Sequence, residues 1–148
     1  MKGPHKCLET TKAPIVSIKE NKRRAQFRNK SKDEFVIGVV DGCLIKEGPR
    51  TDYLVSKVGV ASVLVELKGS DVGHACEQIF ATVSHPSVSP MLEDKLGFLV
   101  ICRKYPRFDS FVAKAKQRAM KQYKCGFHIV CNWGEFEIER VAAIDGPF

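Results

Sequence analysis

Residues 49–69 read PRTDYLVSKVGVASVLVELKG. Two runs rich in β-branched residues, 52–56 and 61–67, flank Lys57-Val58-Gly59-Val60, and the spacing predicts two strands joined by a tight connection. If the chain folds back about Gly59, positions equidistant from it oppose one another, so Lys57 meets Ala61, Tyr53 meets Val65 and Asp52 meets Glu66. Side chains alternate along a strand, so Glu66 and Lys68 project from one face while Val65 and Leu67 enter the opposite, packed layer. Ionisable groups at the end of a core strand are costly. Opposed like charges ~5 Å apart also destabilise a sheet, and a divalent cation between them reverses the sign of that term.

Working outward, residues 35–45 are a β-rich run with a bend expected at Asp41-Gly42, and 47–50 compose a turn. Residues 13–18 read as a short strand, 23–28 as strand or helix, and 1–14, with Pro4 and Pro14, as a flexible arm. After Gly69, a helix opens with Ser70 as N-cap and Asp71 in its first turn, places Val72, Ala75, Cys76 and Ile79 on one face, and ends before His85-Pro86. Residues 97–102 form a near-continuous apolar run, the pattern of a strand covered on both faces. A second helix, capped by Asp109 or Ser110, runs to about Lys124 and is stopped by Gly126. Val112, Ala115, Ala119 and Tyr123 share one of its faces and Lys114, Arg118 and Lys121 another. Residues 127–132 return as a strand. The order predicts a single α/β domain over residues 15–148, a central mixed β-sheet flanked by helices.

Composition fits that reading. The 148 residues are 44% apolar and 28% charged, enough to bury a full core without staples. No apolar run approaches the ~20 residues of a membrane span. The basic N-terminus lacks the apolar stretch of a secretory signal, so a cytoplasmic protein with no membrane partner is expected. The six cysteines never form CxxC, and Cys43, Cys102 and Cys131 sit in apolar runs, so buried free thiols are expected in place of a disulfide scaffold. The net charge of +7 is concentrated in residues 19–32 and 103–124, an arrangement that favours a polyanionic partner, nucleic acid above all.

Glu-x-Lys alone is uninformative, since roughly one chain in two of this length carries it by chance. Here it occurs as Glu20-x-Lys22, Glu66-x-Lys68 and Glu93-x-Lys95, and of these the middle one ends an apolar strand and precedes a glycine and a helix. Together with Asp52 at the start of the preceding strand, Glu66-x-Lys68 resembles the PD-(D/E)xK nuclease superfamily, with Arg50-Thr-Asp52 lacking the leading proline. Gln78, on the helix after the lysine, looks like the glutamine many members carry there. The resemblance extends over about residues 36–132 in element order, while Asp52, Glu66 and Lys68 match specifically.

The resemblance implies a restriction-endonuclease-like αβββαβ core and an Mg²⁺-dependent endodeoxyribonuclease, with Mn²⁺ able to substitute. Asp52, Glu66 and the Leu67 carbonyl would hold the ion, Lys68 would orient the attacking water, and Gln78 would orient water or phosphate. A third acid of the family usually comes from a preceding helix. No such helix is evident, which leaves Glu20, Glu34 or, from its own strand, Asp41. Arg103 and Lys104 at the next strand's end, and Lys114, Arg118 and Lys121 on the second helix, are the candidate DNA contacts. Many relatives act as dimers, so a homodimer resolving branched DNA is the alternative within the enzyme class. A non-catalytic nucleic-acid-binding or protein-interaction module on the same fold is the alternative outside it. His5, His74, His85 and His128 carry no partner spacing, and Tyr53, Tyr105 and Trp133 are too scattered for a stacking platform, Trp133 being expected to pack against the last strand.

Overall fold

Tight turns and two crossover helices organise the computed structural model, which describes residues 5–67, 71–104 and 110–148. The strands are β1 (Leu8–Thr11), β2 (Ile15–Glu20), β3 (Arg23–Arg28), β4 (Phe35–Val39), β5 (Tyr53–Lys57), β6 (Ala61–Glu66), β7 (Lys95–Cys102), β8 (Gly126–Cys131) and β9 (Trp133–Phe136). The helices are α1 (Val72–Val83), α2 (Ser110–Arg118) and α3 (Ile138–Ala142). The main sheet has the order β1-β4-β5-β6-β7-β8. β1, β4, β5 and β6 pair antiparallel, whereas β6, β7 and β8 are parallel. Each parallel pair is joined by a crossover helix, α1 or α2, as that geometry requires.

The expected hairpin forms. Gly59 takes φ +78°, a conformation that favours glycine, and the ladder runs from Lys57↔Ala61 to Tyr53↔Val65. Its alternation divides the core. Leu54, Leu64, Phe98, Val100, Phe127 and Ile129 face α1 and α2 in one cluster. Val55, Val63, Val65, Leu67, Leu99 and Ile101 enter the other, where they meet Val16, Ile18, Ala25 and Phe27 and the α3 residues Ile138 and Val141. Every residue of β6 is buried.

The structure is thus α/β with a mixed sheet whose two faces are covered differently, the crossover helices α1 and α2 lying on one. The other is covered by a second sheet, β2-β3-β9, together with α3. This sheet was not foreseen because its β3–β9 ladder joins Arg24 to Trp133 and β9 is only four residues long. Within the stretch read as an arm, Leu8–Thr11 forms an edge strand on β4, with Leu8 opposite Gly38. Beyond β4 the chain bends as expected at Asp41-Gly42, with Gly42 at φ +76°. The register of β1 sets Cys7 against that bend, and Cys7 and Cys43 form a disulfide. The expectation of free thiols fails for this pair, because the proximity of two cysteines 36 residues apart comes from strand pairing. Cys76, Cys102 and Cys125, all buried, and the half-buried Cys131 are not in disulfides.

The helix ends also differ from expectation. Asp71 caps α1, its Oδ1 accepting the His74 amide at 2.9 Å. Ser70 and Asp109, the other cap candidates, lie outside the described residues. α2 continues as a π-helical turn, Ala119–Tyr123, that ends on Lys124 in the left-handed region, so Lys124 and not Gly126 stops it. Gly126 opens β8 opposite Gly97, and the two glycines admit the backbone of α3 and its continuation onto the sheet. A Cβ at Gly97 would lie 2.8 Å from the Val141 carbonyl oxygen. No helix among the described residues is long and apolar enough to cross a membrane.

Two outcomes follow from this packing. Gly97→Ala pushes backbone against backbone, and a loss of about 1–3 kcal/mol in urea denaturation is expected. Cys43→Ser opens the loop closed by the disulfide and should cost about 2–4 kcal/mol; a dithiol reductant should destabilise the wild type similarly and leave the variant unaffected.

Candidate active site

The β5–β6 register decides where the acids fall. One residue beyond the Tyr53↔Val65 rung stand Asp52 and Glu66, both on the side that faces α1 and α2, as the alternation of Leu54 and Leu64 requires. Asp52 is 2% exposed and Glu66 fully buried. Asp52 Oδ2 accepts the Leu67 backbone amide at 2.7 Å. Since the Leu67 amide belongs to the Glu66–Leu67 peptide, one carboxylate fixes the main chain that carries the other. The backbone carbonyl of Asp52 accepts the amides of Val40 at 3.0 Å and Asp41 at 3.3 Å, which ties the disulfide-bridged bend to the same point.

Gln78 joins this end of the sheet through α1. Thr51, adjacent to Asp52, donates its amide to Thr82 Oγ1 at 2.8 Å, and Thr82 in turn donates its hydroxyl to the Gln78 carbonyl at 2.7 Å. Gln78 is 5% exposed, and its Oε1 is buried without a hydrogen-bond partner among the described residues. A buried amide oxygen without a partner is unusual in a folded core. Lys68 lies outside the described residues.

The other candidate acids are placed differently. Asp41 is exposed and ion-paired with Arg50 at 2.8 Å. Glu34 accepts the Val58 amide at 3.0 Å, at the far end of β5. Glu20 ends β2 on the near side: burial first, then the charges of Glu20, Asp52 and Asp41, push the Tyr53 hydroxyl above the ordinary tyrosine range. Sequence spacing ranked Glu20 no higher than Glu34; only the packing of the second sheet brings it to this end.

Arg103 and Lys104 are exposed and follow β7 directly, at the same end as Glu66, which pairs with Val100. Lys114, Arg118 and Lys121 are exposed along α2 and its π turn, where the Arg118 guanidinium lies 4.2 Å from the centroid of the Phe80 ring and its Nε donates to Gln122 Oε1 at 3.0 Å. His74 is exposed beside Glu77. His128 is buried with Nε2 2.9 Å from the Ala143 carbonyl oxygen, and burial holds its pKa below the usual histidine range. Trp133, expected against the last strand, instead opens β9 with half its surface exposed.

As a donor set, Asp52, Glu66 and the Leu67 carbonyl suit a hard divalent cation, because they offer only oxygens. Among the described residues no group of three or more His, Cys, Asp and Glu is arranged to hold a metal, so such a site would rest on two carboxylates plus backbone and water. The chain matches no family model, no curated protein and no solved structure with which it was compared.

The Asp52–Leu67 bond has its own consequence for stability. Asp52→Ala strands the buried Leu67 amide and should cost about 1–3 kcal/mol in urea denaturation, while Asp52→Asn, which keeps an acceptor, should cost less.

Proposed function

We propose that this protein is a metal-dependent endodeoxyribonuclease of the PD-(D/E)xK type on a restriction-endonuclease-like core, with Asp52, Glu66 and Lys68 at its centre. The observation that carries the reading is the β5–β6 register, which sets two buried carboxylates opposite each other on one sheet face where an apolar pair would be cheaper. The succession β4-β5-β6-α1-β7, three antiparallel strands followed by a helix and a parallel strand, agrees with the part of that core after its first helix.

Asp52, Glu66 and the Leu67 carbonyl would hold Mg²⁺, which when bound supplies a water acidified toward hydroxide and charge neutralisation at the phosphate. Asp52 keeps the Glu66–Leu67 peptide in register through its 2.7 Å bond, so the donor oxygens need little reorganisation. Lys68 would orient the attacking water in line and offset charge on the phosphoryl oxygens. Gln78 turns a buried amide oxygen toward water or phosphate. Arg103 and Lys104, just past β7, would grip the strand on the protein's site side, and Lys114, Arg118 and Lys121 would add the sequence-independent attraction of a basic helix face.

The test is a cleavage panel of supercoiled plasmid, linear duplex, single strands, a four-way junction and RNA, each with Mg²⁺, Mn²⁺ or EDTA. DNA cleavage that needs the metal is expected, reduced at least about a hundredfold by Glu66→Gln and by Lys68→Ala. Thermal stability should also rise with Mg²⁺ in the wild type and not in Glu66→Gln. No cleavage and no thermal response to metal would leave a binding module.

A further inference from the structure

A second constellation lies beside the carboxylate pair, where three strands end together. Asn132 donates its amide to the Cys102 carbonyl at 2.8 Å, and Arg24 donates its amide to the Asn132 carbonyl at 3.1 Å. These two backbone bonds join the carboxyl ends of β7 and β8 to the β2–β3 hairpin. Across the β3–β9 ladder Arg24 is opposite Trp133, and its guanidinium lies 4.8 Å from the centroid of the indole. Trp133 is 52% exposed on β9, an edge strand of its sheet. Arg103 and Lys104 emerge from the same point, directly after Cys102. Arg23 is close enough for its charge to pull the Cys102 thiol downward against the burial that holds it at about 12.

This edge gathers Arg23, Arg24, Arg103 and Lys104, and none of the four is within ion-pair distance of a carboxylate among the described residues. The Nε atoms of Arg23 and Arg24 are buried without a hydrogen-bond partner there. Cations around a half-exposed indole form a surface complementary to a polyanion that carries flat rings. Duplex DNA satisfies the charge but keeps its base faces stacked on one another. A strand with unpaired bases satisfies both. Cys102 lies two residues, roughly 7 Å, past the Val100 rung that pairs with Glu66, so this edge and the carboxylates share one end of the main sheet.

We propose that this edge is a binding platform for single-stranded DNA, with one base stacked on the Arg24–Trp133 pair and the flanking phosphates held by Arg23, Arg103 and Lys104. The proposal deepens the nuclease reading, on which it rests for the choice of DNA, by naming a substrate with an unpaired arm next to the scissile strand.

Trp133 is the chain's one tryptophan, so its emission reports on the platform directly. In EDTA, where no cleavage competes, an oligothymidylate should quench that emission saturably, with affinity falling as salt rises, and a blunt duplex of equal length should quench little. By anisotropy of a labelled oligothymidylate, Trp133→Ala and Arg24→Ala should each weaken binding roughly five- to a hundredfold, with Trp133→Phe retaining most of it. Arg103→Ala/Lys104→Ala alters exposed residues outside the strands and should weaken binding without loss of the folded circular dichroism spectrum. Equal quenching by duplex or by polyglutamate, or unchanged affinity in Trp133→Ala and Arg103→Ala/Lys104→Ala, would overturn the platform. Cleavage by the same preparations in Mg²⁺ separates the two readings: cleavage without quenching removes the platform alone, and quenching without cleavage removes the nuclease alone.

Discussion

Asp52 Oδ2 and the Leu67 amide, 2.7 Å apart, form the interaction around which this end of the molecule is assembled. The bond crosses from the start of β5 to the end of β6 and closes the hairpin at the end opposite Gly59. It is charge-assisted and buried, so it is stronger than a neutral bond in water and costly to leave unmade. By holding the Glu66–Leu67 peptide it sends Glu66 to the helix side and Leu67 to the other layer, where Leu67 joins Val63 and Val65 in the second core. A single polar contact therefore reconciles two demands that conflict along this strand, a continuous apolar run and a carboxylate buried within it.

The neighbouring elements brace the same point from three directions. From α1, Thr82 takes the Thr51 amide and gives its own proton to Gln78. From the bend after β4, the Val40 and Asp41 amides donate to the Asp52 carbonyl, and Cys7–Cys43 fixes that bend to β1. From the opposite layer, the β2–β3 hairpin brings Glu20 close enough to raise the Tyr53 hydroxyl. Glu66 thus stands on a strand and Gln78 on a packed helix, with Asp52 and Leu67 directly flanking β5 and β6. Charge is segregated on the same scheme. Acids collect at the β5–β6 end, while Arg23, Arg24, Arg103 and Lys104 stand near the adjacent ends of β7 and β8.

Much of this was legible in residues 49–69. Period-two alternation and the glycine between two β-branched runs specify a hairpin, and equidistance from Gly59 specifies which residues oppose, because a one-residue slip would turn Val63, Val65 and Leu67 out of their layer. The helical faces of α1 and α2 were legible for the same reason: Val72, Ala75, Cys76 and Ile79, and Val112, Ala115 and Ala119, recur at helical spacing and are buried. Gln78 is buried on α1 too, a position that the family resemblance and not the periodicity points to. The cap of α1 was misassigned by one residue, since Ser70 and Asp71 are both good acceptors and only the backbone geometry at Asp71 distinguishes them.

By itself, then, the sequence determined the local elements, the hairpin register and the facing of Asp52 and Glu66, because each depends on residues within one or two neighbouring segments. Tertiary structure alone decided the second sheet, the disulfide, the approach of Glu20 and the union of Arg24 with Trp133. Arg24 and Trp133 lie more than 100 positions apart on β3 and β9, and Cys7 meets Cys43 only through the β1–β4 ladder. Pairings of that kind are set by how the layers stack on one another, and nothing in the local spacing of either partner encodes them.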